Sequence, residues 1–76
     1  MDAYNVALWK RDKLRSTHTI QAESAAAALN DSLSLPDWPD ASEWPQEDTG
    51  DEHCESRAAT DPDDPEQWIE ASRMLD

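Results

Sequence analysis

The sequence is poor in the residues that many binding and catalytic motifs require. It has a single glycine, Gly50, which excludes a glycine-rich loop that cradles a phosphate. It also has a single cysteine, Cys54, so it cannot form an internal disulfide, and a reducing cytoplasm is the expected compartment. No apolar run approaches the ~20 residues of a membrane span, and residues 1–20 lack the apolar core of a signal peptide.

Side chains that could support catalysis or hold a metal are also few. The only imidazoles and thiol belong to His18, His53 and Cys54. His53 and Cys54 are adjacent, and the sequence has no second pair of such residues at the spacing of zinc ligands. The acidic run 61–66 lacks the central glycine and the twelfth-position glutamate of a calcium loop. We therefore expect a non-enzymatic protein with no cofactor and no dedicated metal site.

Basic residues are scarce, whereas acidic residues are abundant and concentrated in one stretch. The chain has 6 Lys and Arg against 18 Asp and Glu, for a net charge of −12. Residues 36–66 hold twelve of the carboxylates and one base, whereas residues 1–35 carry no net charge. Such a chain is repelled by nucleic acid and anionic lipid and is attracted to basic surfaces. The strongest basic surfaces in a cell are those that bind DNA or RNA.

Chain length and tryptophan content limit the architecture. With 76 residues, the chain forms at most one domain, so we assign residues 1–76 to a single one. The four tryptophans argue against complete disorder, because each can bury ~150–250 Å². We predict a small α+β domain with a folded core and an acidic flank.

The first part of the chain, residues 3–34, is predicted to be a ββα core. Residues 3–9 and 14–22 alternate apolar and polar side chains at period two, which is typical of two strands in an antiparallel hairpin. Ser24 is a good N-cap for the alanine-rich helix that follows, and this helix should end near Leu33 because a proline comes soon after.

The second part, residues 36–63, is predicted to be an acidic segment without a dominant regular structure. Three prolines interrupt its beginning, and Trp38 and Trp44 lie among them. We expect one or both indoles to fold back over the hairpin or the helix. Helix and loop both remain open for residues 46–59, since repulsion between carboxylates at i,i+4 opposes a helix there.

The third part, residues 64–76, is predicted to be a C-terminal helix. Asp64 would be its N-cap, Pro65 its first helical residue and Gln67 the reciprocal partner in a capping box. Trp68 and Leu75 would belong to its narrow apolar face.

The spacing of the carboxylates decides whether the stretch 36–66 could imitate nucleic acid. As a helix rising ~1.5 Å per residue, the stretch would carry one charge per ~4 Å. A single DNA strand carries one charge per ~3.4 Å. Fully extended at ~3.3 Å per residue, the stretch would carry one per ~8–9 Å, which is too sparse. Mimicry therefore requires the segment to be folded or compact.

In size, charge and ββα beginning, the chain resembles the small acidic proteins that phages and mobile elements use against DNA-handling defence complexes. It is most similar to the DNA-mimicking anti-CRISPR proteins, and the run 36–66 carries the resemblance. The class implies a non-enzymatic inhibitor that occupies the basic DNA channel of a CRISPR surveillance complex in the bacterial cytoplasm. The predicted partner-binding residues are Asp37, Asp40, Glu43, Glu47, Asp48, Asp51, Glu52, Glu55, Asp61, Asp63 and Asp64, with Trp38 and Trp44.

Two other functions compete with this prediction. The first is a protein–protein interaction adaptor, in which Trp38, Trp44 and Trp68 are exposed anchors and the carboxylates form a polar rim. The second is a nucleic-acid module that uses the four bases at residues 10–15, which eighteen acids disfavour. We expect a monomer, because the net charge of −12 opposes self-association, although the open edges of a hairpin leave a homodimer as an alternative.

Overall fold

A computed structural model describes residues 1–36, 38–51 and 53–74 of the chain. The elements are β1 (Asp2–Lys10), β2 (Lys13–Ala22), α1 (Ala25–Ser32), β3 (Gln46–Asp48), β4 (Ser56–Asp61) and β5 (Asp64–Arg73). All five strands form one antiparallel sheet in the order β2-β1-β5-β4-β3, and α1 packs on one of its faces. No helix among the described residues is long and apolar enough to cross a membrane.

The hairpin and the helix of residues 3–34 form close to the predicted bounds. β1 and β2 pair along their whole length, with Tyr4 opposite Ile20. The Ser24 hydroxyl accepts the backbone N–H of Ala27 at 3.1 Å, so the predicted N-cap is confirmed. These elements are not a separate ββα core, however, because the second edge of β1 pairs with β5.

The predicted C-terminal helix is wrong, since residues 64–73 form β5. This strand is the centre of the sheet and is bonded to β1 on one side and to β4 on the other. Two-sided pairing outweighs the local capping pattern that favoured a helix. β5 can contain Pro65 because its pairing with β1 begins only at Gln67. Proline has no N–H to donate, and at position 65 none is needed for that pairing. Leu75, predicted to lie on the apolar face of that helix, is outside the described residues.

The predicted fold class is therefore wrong as a whole. Of the described residues, 53% are in strands and 11% in a helix, so this part of the chain is a five-stranded sheet with one short helix. Residues 46–59, for which helix and loop were both open, contain β3 and most of β4. The acidic segment 36–63 is thus partly built into the sheet.

The core lies between α1 and the face of the sheet that it covers. Tyr4 and Val6 of β1, Ile69 of β5 and Leu29 of α1 are fully buried there. Residues 38–45 fold over the same core, because Trp38 is buried in it and Trp44 packs against it, as the sequence predicted. The beginning of the acidic segment 36–63 is thereby anchored by its apolar residues.

Candidate functional site

The predicted partner-binding acids fall at two ends of the sheet. The turn end contains the β1–β2 turn (10–13) and the β4–β5 turn (61–64), which meet where the Arg11 N–H donates to the Glu66 carbonyl at 2.9 Å. The loop end contains the β3–β4 connection, residues 49–55. The six residues of β4 separate the two ends by about 20 Å.

Four acids at the turn end surround one groove of about 410 Å³. We call this the acidic groove; its acids are Asp40, Glu43, Asp61 and Asp63, and Trp44 also lines it. The groove joins the 36–45 segment to the β4–β5 turn, and the Thr60 N–H holds the two together by donating to the Pro45 carbonyl at 3.1 Å. The sheet therefore brings together carboxylates that are eighteen or more residues apart in sequence, since Glu43 and Asp61 are the nearest across the groove (61 − 43 = 18).

Local hydrogen bonds hold two of these carboxylates, Asp40 and Asp61, in place. The Asp40 carboxylate accepts the Ser42 hydroxyl at 2.8 Å and the Ser42 N–H at 3.2 Å, and these bonds hold the pKa of Asp40 below its usual range. The Asp61 carboxylate accepts the Asp63 N–H at 2.9 Å and so shapes the β4–β5 turn. Within the described residues, no acid of the acidic groove forms an ion pair.

The remaining acids at the turn end lie beside the basic tip of the first hairpin. The Asp64 carboxylate accepts the Glu66 N–H at 3.2 Å, and the Glu66 carboxylate lies 3.5 Å from Arg11. Both members of that ion pair are well exposed, so it contributes at most about 1 kcal/mol. Arg11, one of the four bases at residues 10–15, is thus partly neutralised by a neighbouring acid.

Two acids near the loop end are engaged by local contacts. The Asp48 carboxylate pairs with the Arg57 guanidinium at 2.9 Å. The Asp51 carboxylate accepts the N–H groups of Cys54 and His53, each at 2.9 Å, and these bonds lower the pKa of Asp51. Both carboxylates therefore have a partner within the protein.

Glu55 has the most structural role of the predicted acids. Its carboxylate accepts the Tyr4 hydroxyl at 2.7 Å and also the N–H of Ala25, the first residue of α1. The Tyr4 bond, followed by the Ala25 bond, lowers the pKa of Glu55. Burial, together with the hydrogen bond and the charge of Glu55, raises the pKa of Tyr4 to about 12. Glu55 thus connects β1, α1 and the loop end.

Apart from the acidic groove, two acids lie side by side on the face of the sheet opposite α1. Glu47 of β3 and Glu70 of β5 both pair with Ala58 of β4, on its two sides. The Glu70 carboxylate also accepts the Thr49 hydroxyl at 3.0 Å. Sequence reasoning missed Glu70 because it placed this residue on a helix. The alternation of Trp68 and Glu70 with buried residues was the signal that could have found it.

The structure places the tryptophans differently from the adaptor prediction. Trp38 is only 8% exposed and packs edge-on against His18, with 5.6 Å between ring centroids, so it is not an exposed anchor. Trp44 is half-buried beside the acidic groove. On the face opposite α1, Trp9 and Trp68 stack with 6.0 Å between ring centroids.

Asp37 and Glu52, the other two predicted partner-binding acids, lie outside the described residues. Among the residues that are described, no group of three His, Cys, Asp or Glu side chains is placed to hold a metal ion.

No protein-family model, curated protein or solved structure matches this chain.

Proposed function

We propose that this chain is a non-enzymatic inhibitor that presents DNA-like charge to a basic nucleic-acid-binding surface. The observation that carries the proposal is the acidic groove. Its four carboxylates lie together at one corner and have no cationic partner among the described residues. A basic surface that approached this corner would supply the missing partners, and association would be accelerated by electrostatic attraction.

The compactness of the acidic stretch supports the same proposal. The longest dimension of the protein is 33 Å, and ten described carboxylates of residues 36–66 lie within it. This gives about one charge per 3 Å, against one per ~3.4 Å along a DNA strand. Without Asp48, Asp51, Glu55 and Glu66, which have partners in the fold, the average becomes about one per 5–6 Å. Both averages are closer to the spacing of a DNA strand than the one charge per ~8–9 Å of a fully extended chain.

Resemblance to the anti-CRISPR class in size and charge, without the ββα architecture, narrows the proposed partner to a Cas protein of a CRISPR effector complex in the bacterial cytoplasm. The chain would occupy the channel that binds target DNA or its flanking recognition sequence. Inhibition would then come from occupation of the channel alone, so no catalytic residue is needed. Lys and Arg side chains that normally bind phosphates would bind the acidic groove instead.

The test is displacement of labelled target DNA from purified CRISPR surveillance complexes, followed by fluorescence anisotropy at low and high salt. We expect the chain to release the DNA, and to do so less effectively as salt screens the charges. The double variant Asp61→Asn/Asp63→Asn keeps the side-chain shapes and removes two charges from the groove, so it should displace DNA at least ten-fold less well. The matched control, Asp2→Asn/Asp31→Asn, removes two exposed charges elsewhere and should act like the wild type.

Equal loss of displacement in both double variants would show that only net charge matters and would remove the groove from the proposal. Binding that is indifferent to salt and to added DNA would contradict charge mimicry as a whole.

A second function, an interaction adaptor, is favoured by the stacked indoles on the uncovered face. Trp9 pairs with Leu14 on one side and with Trp68 on the other, and Leu14 is 52% exposed. Aromatic side chains of this kind are common anchors in protein interfaces. Substituting Trp9 and Trp68 by Thr in the folded protein would abolish binding by an adaptor, whereas a charge mimic would keep most of its DNA displacement.

A further inference from the structure

The outer edge of β2 is the longest unpaired edge in the described part of the molecule. β2 has ten residues and lies at the border of the sheet, with β1 as its neighbour. Outside that pairing, no backbone hydrogen bond of the described residues involves residues 13–22. A bulge at Arg15 interrupts the pairing and leaves 16–22 as the regular part of the edge. Exposed, regular edges of this kind pair readily with another strand.

The two edges of the sheet differ in length and in charge. The opposite edge, β3, has three residues and carries Glu47 and Asp48. β2 contains no acidic residue and carries Lys13 and Arg15. The polypeptide from 1 to 35 has no net charge, although the whole chain carries −12. A second negatively charged molecule can therefore approach the β2 edge with the least repulsion.

We propose that the β2 edge binds β2 of a second copy of this chain, in antiparallel orientation around a two-fold axis. Pairing of this kind would create a ten-stranded sheet with β3 at both of its outer edges. At ~4.8 Å between strands, the two β3 strands would lie about 43 Å apart. This is several times the Debye length of ~8 Å at physiological salt, so their repulsion would be largely screened.

Charges at the two ends of β2 specify the orientation. A two-fold axis at Thr19 places this residue opposite its own copy in the second chain. Ser16 of each chain then lies opposite Ala22 of the other, and the residues between them pair in the same register. The same register places Arg15 of each copy opposite Glu23 of the other. Neither of these residues forms an ion pair within the described part of the chain. A parallel arrangement would instead place like charges side by side, which is destabilising.

This inference is independent of the proposed inhibitor function, because it concerns the isolated protein. A seven-residue strand pair buries a small area, so we expect weak, concentration-dependent dimerisation. The test is sedimentation velocity of the purified chain from about 10 μM to 1 mM. We expect the average mass to move from monomer towards dimer over this range.

Charge reversal tests the register. Glu23→Lys and Arg15→Glu each place like charges opposite one another twice in the dimer, so each should weaken association about ten-fold. An equimolar mixture of the two variants should restore it, because every contact in the mixed dimer again joins opposite charges. The control Glu43→Lys makes the same charge change in the acidic groove and should associate at least as well as the wild type. Circular dichroism confirms that each variant is folded.

Three results would overturn the proposal. The first is a wild-type chain that stays monomeric at every concentration. The second is a Glu23→Lys variant that dimerises as well as the control. The third is a mixture of the two reversed variants that stays as weak as each alone. Should a reversed variant fail to fold, Thr19→Lys provides a replacement, since it brings two ammonium groups together on the axis and should also abolish the dimer.

Discussion

At the loop end of the sheet, the two described carboxylates have partners within the protein. Asp51 binds two backbone N–H groups, and Glu55 binds a tyrosine hydroxyl and the first N–H of α1. At the turn end, the carboxylates of the acidic groove face solvent, with only local hydrogen bonds and no cation among the described residues. The same residue types, with the same charge, thus stabilise the fold at one end and form a surface at the other.

This difference means that net charge overstates the surface that a partner could use. Substitutions at the loop end should lower the free energy of unfolding, whereas substitutions in the acidic groove should alter binding and leave stability unchanged. The stability of each variant, from either end, must therefore be measured before its loss of binding is interpreted.

The largest expected effect comes from Gly50→Ala at the loop end. A Cβ atom at this position would overlap the Cys54 carbonyl oxygen and approach the Ser56 backbone nitrogen. Because these neighbours are backbone atoms, the loop itself would have to move, and we expect a loss of about 3 kcal/mol. A urea unfolding curve measures this loss. An unchanged midpoint would show that the loop end is not as tightly packed as described.

Removing the Glu55 carboxylate should cost about 2 kcal/mol, because it leaves the buried Tyr4 hydroxyl without its partner. In Tyr4→Phe that hydroxyl is already gone, so adding Glu55→Ala should cost less than in the wild type. A double-mutant cycle by chemical denaturation measures the coupling. The turn-end control, Asp63→Ala, should leave the midpoint unchanged, and equal destabilisation by Asp63→Ala and Glu55→Ala would contradict the distinction between the two ends.

Stability should also depend on pH through this pair. The pKa of Glu55 is lowered in the folded protein, so its contribution is complete above the ordinary glutamate value of about 4.3 and is lost as the pH falls below it. The pKa of Tyr4 is raised to about 12, so stability should fall as the pH rises from about 10 to 12. Thermal unfolding followed from acid to alkaline pH measures both the acid loss of stability and the alkaline loss. The Tm of the Glu55→Gln variant should fall less steeply at acid pH than that of the wild type. An equally steep fall in both proteins would show that other carboxylates cause the acid loss of stability.

The smallest effect is expected in the β1–β2 turn at the turn end. Arg11 and Asp12 adopt left-handed backbone angles, with φ of 53° and 63°. Aspartate tolerates this region better than arginine does, but glycine is the residue favoured at the second position of such a turn. Asp12→Gly should therefore stabilise the protein by about 1 kcal/mol, which raises Tm by roughly 4–8 °C in a domain of this size. Asp12→Ala removes the same charge and should give no gain. Equal Tm values for the two variants would mean that charge, not backbone strain, governs this turn.

Local patterns predicted the elements whose determinants are local. The alternation in residues 3–9 and 14–22 and the Ser24 cap were sufficient, because each signal involves neighbours in sequence. β3 could not be predicted, since Gln-Glu-Asp has poor strand propensity and is held by pairing with β4. Asp64-Pro65 fits a helix cap as well as the start of a strand, and only the pairing of β5 on both sides decides between them.

The candidate site was predictable in composition but not in arrangement. Counting residues located the acidic stretch, yet the role of Glu55 depends on Tyr4, which is 51 residues away in sequence. The grouping of Asp40 with Asp61 depends on a fold-back of the chain that no local pattern encodes. Glu70 was missed for the same reason as β5, because its face of the sheet exists only after the strand is paired.

The strand order has a consequence for synthesis on the ribosome. β5 joins the β1–β2 hairpin to the β3–β4 hairpin, yet it is the last of the five strands to be made. Until it emerges, β1 and β4 each have an unpaired inner edge, and the nascent protein has two hairpins that cannot yet meet. Pairing of β1 with β5 also joins residues about sixty apart, which slows folding. The completed sheet should therefore form after translation of β5, with the acidic stretch keeping the unpaired edges of different nascent chains apart.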